Sequence, residues 1–199
     1  MKKLIHQYRK KKKEIEDRLA EFKRKSQEDI FYELCFCLLT PQTNAHVCDN
    51  TVKELRKRQF HKNEIDPKPS LRKYGVRFHN NKSHYLLVMK EKNKEILNNL
   101  NGEAQETRNF LIHYVKGLGY KESSHFLRNI GYTNLSILDR HILKNLVQYN
   151  VIKKIPKSLT RKNYLKIEQK FKKFSGKIGI PMDHLDLLFW SFETGEIFK

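Results

Sequence analysis

The sequence predicts an all-α protein, on three observations. Apolar residues recur at three- and four-residue spacing along most of the chain. Alternating apolar and polar stretches bounded by hairpin turns do not occur. Glycine and proline are few, 8 and 5 among 199 residues, and mostly stand where a helical pattern stops. The reading is about ten helices, with no internal repeat and no low-complexity segment beyond a basic N-terminus.

The elements follow in order. Within the first 25 residues, Leu4, Ile5, Tyr8, Ile15, Leu19 and Phe22 form roughly one helical stripe, and Arg9 to Lys13 form a solvated face that also suits phosphates. Ser26 with Asp29 three residues on is a variant capping box, and starts a helix through Phe31, Leu34, Cys35 and Leu38. Thr40-Pro41 offers a hydroxyl cap and then proline in the first turn, which predicts a helix running to about Gln59. Asp66 to Ser70, with two prolines, reads as a connection. Further helices are expected over 79–99, 103–115, 120–130, 139–149, 158–175 and 181–193.

Charge narrows the function. Lys plus Arg number 41 and Asp plus Glu 22, a formal net charge of +19. Such an excess opposes compaction and calls for a polyanionic partner, nucleic acid first and an anionic membrane surface second. The basic residues are interleaved with apolar ones rather than gathered in one tail, which favours a folded nucleic-acid binder. The longest apolar run, Leu34–Leu39, falls far short of the ~20 residues a membrane helix needs. The 12 Phe, 9 Tyr and single Trp argue against disorder. No secretory signal is recognisable, so a cytoplasmic, nucleoid-associated protein is expected. Cys35, Cys37 and Cys48 make no disulfide framework and have no partner cluster at metal spacing; they read as small apolar core residues.

The densest segment runs from Val115 to Gly131. A helix with Phe110, Leu111, Tyr114 and Val115 enters Gly117-Leu118-Gly119, and a second helix with Phe126, Leu127 and Ile130 follows at once. Two glycines let the backbone turn sharply while Leu118 fills the space between the helices. The bend presents backbone N–H groups at a helix start, where the dipole favours a phosphate. This is a helix-hairpin-helix, a device for gripping DNA backbone without reading sequence. Lys121 stands in the first turn of the second helix, where the positive helix end disfavours added positive charge and so suits an amine nucleophile. Eighteen residues on, Asp139 stands where a helix begins. An N-cap carboxylate is its ordinary role; its pairing with Lys121 across the loop Gly131 to Ser136 gives it a second, chemical reading.

The pattern Gly117-x-Gly119-x-Lys121 followed by Asp139 resembles the helix-hairpin-helix superfamily of base-excision DNA glycosylases. More closely, Gly117 to Tyr132 and Leu138 to Leu143 resemble the type-2 8-oxoguanine DNA glycosylase/lyase family, known mainly from archaea. Leu34 to Thr40, Arg77-Phe78, Pro156 to Tyr164 and Leu185 to Lys199 match as well, so the likeness spans nearly the whole chain. It implies a two-lobed helical fold with the active site in the cleft between lobes and DNA lying across it. One lobe would be 40–130, ending in the hairpin; the other 1–39 plus 131–199. It implies base excision repair: Lys121 attacks C1′ of the damaged nucleoside, and the Schiff base then permits β-elimination. Asp139 steadies the developing sugar cation and helps Lys121 lose its proton.

The same resemblance extends to weaker positions. Trp190 is either core or the aromatic wall of the pocket for the flipped base. Phe198 and Lys199 lie at that pocket, with a terminal carboxylate suited to accept the N7–H that distinguishes 8-oxoguanine from guanine. Gln42 either contacts the orphaned partner base or is a plain exposed polar residue. His125, one turn beyond Lys121, approaches the site or is structural. Lys116, Arg128, Arg140 and Lys144 are phosphate ligands as a set. No cofactor is required and no iron–sulfur cluster is expected, since the four clustered C-terminal cysteines of cluster-bearing members are missing. The hairpin carbonyls can take a monovalent cation. A monomer acting on double-stranded DNA, with weak discrimination of the base opposite the lesion and no membrane partner, completes the expectation. The competing readings are another lesion preference within the superfamily, a hairpin module that only grips DNA, and a basic architectural or RNA-binding protein.

Overall fold

A computed structural model describes all residues from 1 to 199 as eleven helices joined by turns, with no strand. They are α1 (Lys2–Phe22), α2 (Gln27–Leu39), α3 (Ala45–Lys57), α4 (Lys68–Lys73), α5 (His79–Glu91), α6 (Asn93–Asn98), α7 (Ala104–Tyr114), α8 (Tyr120–Asn129), α9 (Arg140–Gln148), α10 (Arg161–Ile178) and α11 (Met182–Thr194). The chain divides into two compact units. Lys25–Phe126 forms a middle unit, and Met1–Arg24 with Leu127–Lys199 forms a terminal unit. The division falls inside α8.

The middle unit is built around α2. Ser26 accepts from the Asp29 backbone N–H at 3.1 Å, and the Asp29 carboxylate accepts from the Ser26 N–H at 3.1 Å, a complete capping box. Burial works against the Asp29 charge, but hydrogen bonds from Ser26 and Arg56 outweigh it and hold the carboxyl at about 2. Every residue from Phe31 to Leu39 is buried, because α2 packs against both α3 and α5. Cys35, Cys37 and Cys48 are all buried, and burial pushes the Cys35 thiol up. Phe31 meets Tyr32 edge-on at 5.1 Å, and Tyr32 Oη pairs with His61 Nδ1 at 2.9 Å.

In the terminal unit, α11 packs on α1, α9 and α10. Helix α1 buries Leu4, Tyr8, Ile15 and Phe22, most of the expected stripe, and leaves the charged positions outside. Phe189 of α11 stacks on Tyr149 at 5.4 Å and on Phe171 at 6.0 Å, each ring nearly parallel. Gly179, at φ 69°, ends α10 in the left-handed conformation that admits glycine without penalty.

Several boundaries differ from expectation for local reasons. Thr40 closes α2 instead of opening the next helix: its hydroxyl donates back to the Cys37 carbonyl at 2.9 Å. Gln42 then takes φ 55°, which interrupts any helical path. Helix α3 therefore begins only at Ala45, where Asn44 accepts from His46 N–H at 2.9 Å. The expected connection 66–70 contains the start of α4. The expected helix 79–99 is two, broken at Lys92, and the total is eleven rather than about ten. The expected lobes 1–39 plus 131–199 and 40–130 are also shifted. Helix α2 joins the middle unit because its apolar surface is buried on α3 and α5, so the boundary falls at 24/25. The second boundary comes at 126/127, inside α8.

Candidate functional site

In the middle unit, α7 and α8 form the expected hairpin. Val115 N–H closes α7 onto the Leu111 carbonyl at 2.9 Å, and Leu118 N–H bonds the Val115 carbonyl at 3.2 Å. Leu118 is buried. Gly119 O accepts from Ser123 N–H at 3.0 Å as α8 begins. Gly117 is obligatory on two counts. Its φ is 100°, and a Cβ there would lie 2.5 Å from Cδ2 of the Tyr85 ring. The amine of Lys116, exposed beside this bend, lies 5.9 Å from the centre of the same ring.

Lys121 sits in the first turn of α8 with 27% of its side chain exposed. Its amine lies 3.2 Å from Glu122 Oε1, so a charge partner is at hand while solvent access remains. His125, one turn on, is buried, with its ring edge-on to Phe36 at 5.6 Å. That packing serves the structural role. Gln42 is exposed on the turn between α2 and α3.

The same unit holds a lysine that the sequence did not single out. Lys82 of α5 is 4% exposed. Its amine donates to the carbonyls of Leu39 at 2.6 Å and Pro41 at 2.7 Å and to Thr43 Oγ1 at 2.9 Å. Burial draws it down to about 8; the charges of Lys121 and Arg77 act in the same direction, and Glu122 opposes them. Lys82, Lys121 and the 40–43 turn therefore share one electrostatic neighbourhood. No local pattern signalled it, since α5 carries Lys90 as well and opens on a polar run.

In the terminal unit, Asp139 is the N-cap of α9: its Oδ1 accepts from Ile142 N–H at 2.8 Å. The residues leading into it are held by buried side chains from α10 and α11. Glu168 accepts from Ser136 N–H at 2.9 Å and from its hydroxyl at 3.0 Å. Tyr164 donates to the Ser136 carbonyl at 2.6 Å and accepts from Leu138 N–H at 3.4 Å. Asp183 accepts from Asn134 N–H at 3.3 Å, and Asp186 from Ile137 N–H. The backbone before Asp139 is thus fixed on nearly every residue. Burial pushes Asp186 up to about 7; Arg128 opposes this, and the charges of Asp139 and Asp183 add to it. Sequence reasoning missed these four supports, although two aspartates three residues apart in the apolar-rich first half of α11 were a visible signal.

Arg128 corrects an expectation. Read as a phosphate ligand, it is 3% exposed, 3.6 Å from Asp186 and 5.3 Å from the centre of the Phe22 ring. A guanidinium so enclosed neutralises the buried carboxylate and cannot reach a phosphate. Lys144 bonds both oxygens of Glu193 at 2.8 and 2.9 Å, whereas Arg140 is exposed at the start of α9.

The C-terminal segment brings three expected residues together. Gly195, at φ 87°, ends α11 and turns the chain back. Ile197 is buried and anchors the return. Phe198 then stacks on Trp190 at 6.1 Å with a 28° interplanar angle, and the Lys199 amine lies 5.8 Å from the centre of the Phe198 ring. All three remain partly exposed. No group of three or more His, Cys, Asp or Glu side chains is placed to hold a metal ion. No helix is long and apolar enough to cross a membrane.

Comparison with known proteins agrees with the all-helical fold. The sequence model for 8-oxoguanine DNA glycosylase with a helix-hairpin-helix matches residues 15–180. The 8-oxoguanine DNA glycosylase/AP lyase of Fusobacterium nucleatum is 42% identical over 96% of this chain and 94% of its own length. That of Methanocaldococcus jannaschii is 37% identical over 93% and 91%. Among solved structures, the 8-oxoguanine DNA glycosylase of Thermotoga maritima matches with a TM-score of 0.90 at 31% identity, covering 100% of this chain and 97% of that one. The M. jannaschii 8-oxoguanine glycosylase/lyase in complex with 15mer DNA containing 8-oxoguanine matches at 0.88 and 34%, covering 100% of both chains. By that family match over residues 15–180 and these identities over nearly the whole chain, the chain belongs to the 8-oxoguanine DNA glycosylase family.

Proposed function

We propose that this chain removes 8-oxoguanine from double-stranded DNA and then cleaves the strand at the resulting abasic site, with Lys121 as the nucleophile. The observation that carries the reading is a partly exposed lysine in the first turn of a helix that leaves a two-glycine bend. Neutral Lys121 Nζ attacks C1′, and the C1′–N9 bond breaks with its electron pair leaving on the base. The adduct nitrogen gives up one proton to the departing base, and O4′ takes up a proton from solvent as the C1′–O4′ bond breaks and the sugar ring opens to the protonated Schiff base. That iminium is an electron sink: a proton leaves C2′, and the C3′–O bond breaks with the phosphate departing. The Asp139 carboxylate brings negative charge to the sugar as positive charge develops there.

The remaining roles follow from chemistry. A base must leave the stack to meet the lysine, at a cost of a few kcal/mol, and the Trp190–Phe198 pair offers a π surface to receive it. Lys199 lies beside that pair. Lys116 and Arg140, both exposed, suit phosphates. The lysine itself supplies the electrophilic sink, so no cofactor is needed. The hairpin backbone can add a monovalent cation that neutralises a bound phosphate. We read the active form as a monomer.

Sodium borohydride tests this reading. Incubation with 8-oxoguanine duplex and borohydride should give a covalent protein–DNA adduct, because hydride reduces the iminium to a stable amine. Lys121→Gln should give none and leave the lesion in place. An adduct of equal yield from Lys121→Gln refutes the assignment of the nucleophile; no adduct and no excision from the native chain refutes the enzyme.

A further inference from the structure

We propose that Lys82 is a positioning residue: it clamps the turn that presents Gln42, the residue expected to meet the base opposite the lesion. This rests on the proposed activity and deepens it. An ammonium has three N–H donors, and Lys82 has three acceptors: the Leu39 carbonyl, the Pro41 carbonyl and Thr43 Oγ1, at 2.6, 2.7 and 2.9 Å. These acceptors are not scattered. Leu39 is the last residue of α2, where unpaired carbonyls and the negative end of the helix dipole favour a cation. Pro41 and Thr43 flank Gln42 on either side. Thr43 Oγ1 also accepts from Arg77 N–H at 3.3 Å, which ties the turn to the segment before α5.

Gln42 itself needs such a clamp. It is exposed, yet its φ is 55°, a conformation that a non-glycine residue keeps only when its surroundings enforce it. Its own side chain is not what enforces it: the bonds that Lys82 makes are to its neighbours' oxygens. Without the ammonium, a buried carbonyl, a part-buried carbonyl and a part-buried hydroxyl lose their donor. The turn then relaxes, and the Gln42 amide no longer points in a single direction. A buried lysine with only carbonyl and hydroxyl oxygens in contact is an expensive way to fill space, and an apolar residue would fill it more cheaply. The turn that it rigidifies lies in the electrostatic neighbourhood of Lys121.

The test compares two duplexes, one with cytosine opposite 8-oxoguanine and one with a baseless tetrahydrofuran nucleotide there. For the native chain, single-turnover kcat/KM should be a few-fold to about tenfold higher with cytosine, the factor expected of one hydrogen bond. Lys82→Met should bring that ratio close to one, as should Gln42→Ala, and the double variant should go no further. Thr43→Val, which removes one acceptor and leaves Lys82 charged, should lower the ratio part-way and guards against a Lys82→Met chain that fails to fold. A Lys82→Met variant slowed equally on both duplexes has only a structural lysine, and the proposal falls. It falls equally if the two substitutions add, or if the native ratio is already one. Native excision and borohydride trapping stand apart from all these outcomes, so losing the clamp does not touch the enzyme assignment.

Discussion

Substituting Asp139 by asparagine and by alanine separates two jobs that one side chain performs. As the N-cap of α9 it accepts from Ile142 N–H at 2.8 Å. Asparagine retains an acceptor there, so Asp139→Asn loses only the charge–dipole term, about 0.3–1 kcal/mol. Asp139→Ala loses the cap as well, about 1 kcal/mol with a range of roughly 0.5–2. For a domain of this size each kcal/mol moves Tm by roughly 2–4 °C. Asp139→Asn should therefore melt within a few degrees of the native chain and Asp139→Ala somewhat lower. Catalysis should not follow that order. If the carboxylate faces developing positive charge, both variants lose it equally, and excision should slow by roughly a hundredfold to a thousandfold. Thermal melts and single-turnover excision on the 8-oxoguanine duplex, with DNA affinity measured alongside, give all three quantities. An asparagine variant that excises at nearly the native rate would leave Asp139 as a helix cap and nothing more. So would a pair whose rates fall in step with their melting temperatures.

Two further predictions rest on single contacts. Gly117→Ala places a Cβ 2.5 Å from the Tyr85 ring at a φ of 100°, which should cost roughly 1–3 kcal/mol in stability and weaken DNA binding through the hairpin; a variant that melts and binds like the native chain contradicts the tight bend. Asp186 sets a pH dependence. Burial raises its folded carboxyl to about 7, so between pH ~4 and 7 the folded chain holds a proton that the unfolded chain has released. Stability from this group is present below pH ~4 and declines as pH rises toward 7, by at most about 1.4 kcal/mol per pH unit. Urea midpoints at pH 5 and 7.5 should show the decline in the native chain and a flatter profile in Asp186→Asn; parallel profiles refute it.

How far the site was legible depends on how local its signals are. The hairpin was readable because its parts adjoin: two glycines, one apolar plug and a lysine within five residues state a backbone geometry and a chemical group together. The Ser26 capping box was readable for the same reason, as both partners lie in one turn. Thr40-Pro41 misled because a hydroxyl before a proline is a local cue, and here the hydroxyl satisfied the helix behind it instead of the one ahead. Arg128 misled because a basic residue near the hairpin looks like a phosphate ligand until its neighbours in space, Asp186 and Phe22, are known.

Composition and short-range pattern were thus enough to determine an all-helical chain, a polyanionic partner, the two-glycine bend with Lys121, and a helix opened by Asp139. These depend on residues within a few positions of each other or on sums over the whole chain. Tertiary structure alone decided which unit α2 joins, that Arg128 serves a buried carboxylate, that Tyr164, Glu168, Asp183 and Asp186 fix the approach to Asp139, and that Lys82 clamps the Gln42 turn. Each of those pairs residues that lie tens of positions apart. Their meeting depends on helices packing in three dimensions, and what a buried charge does is set by the partner that packing brings to it.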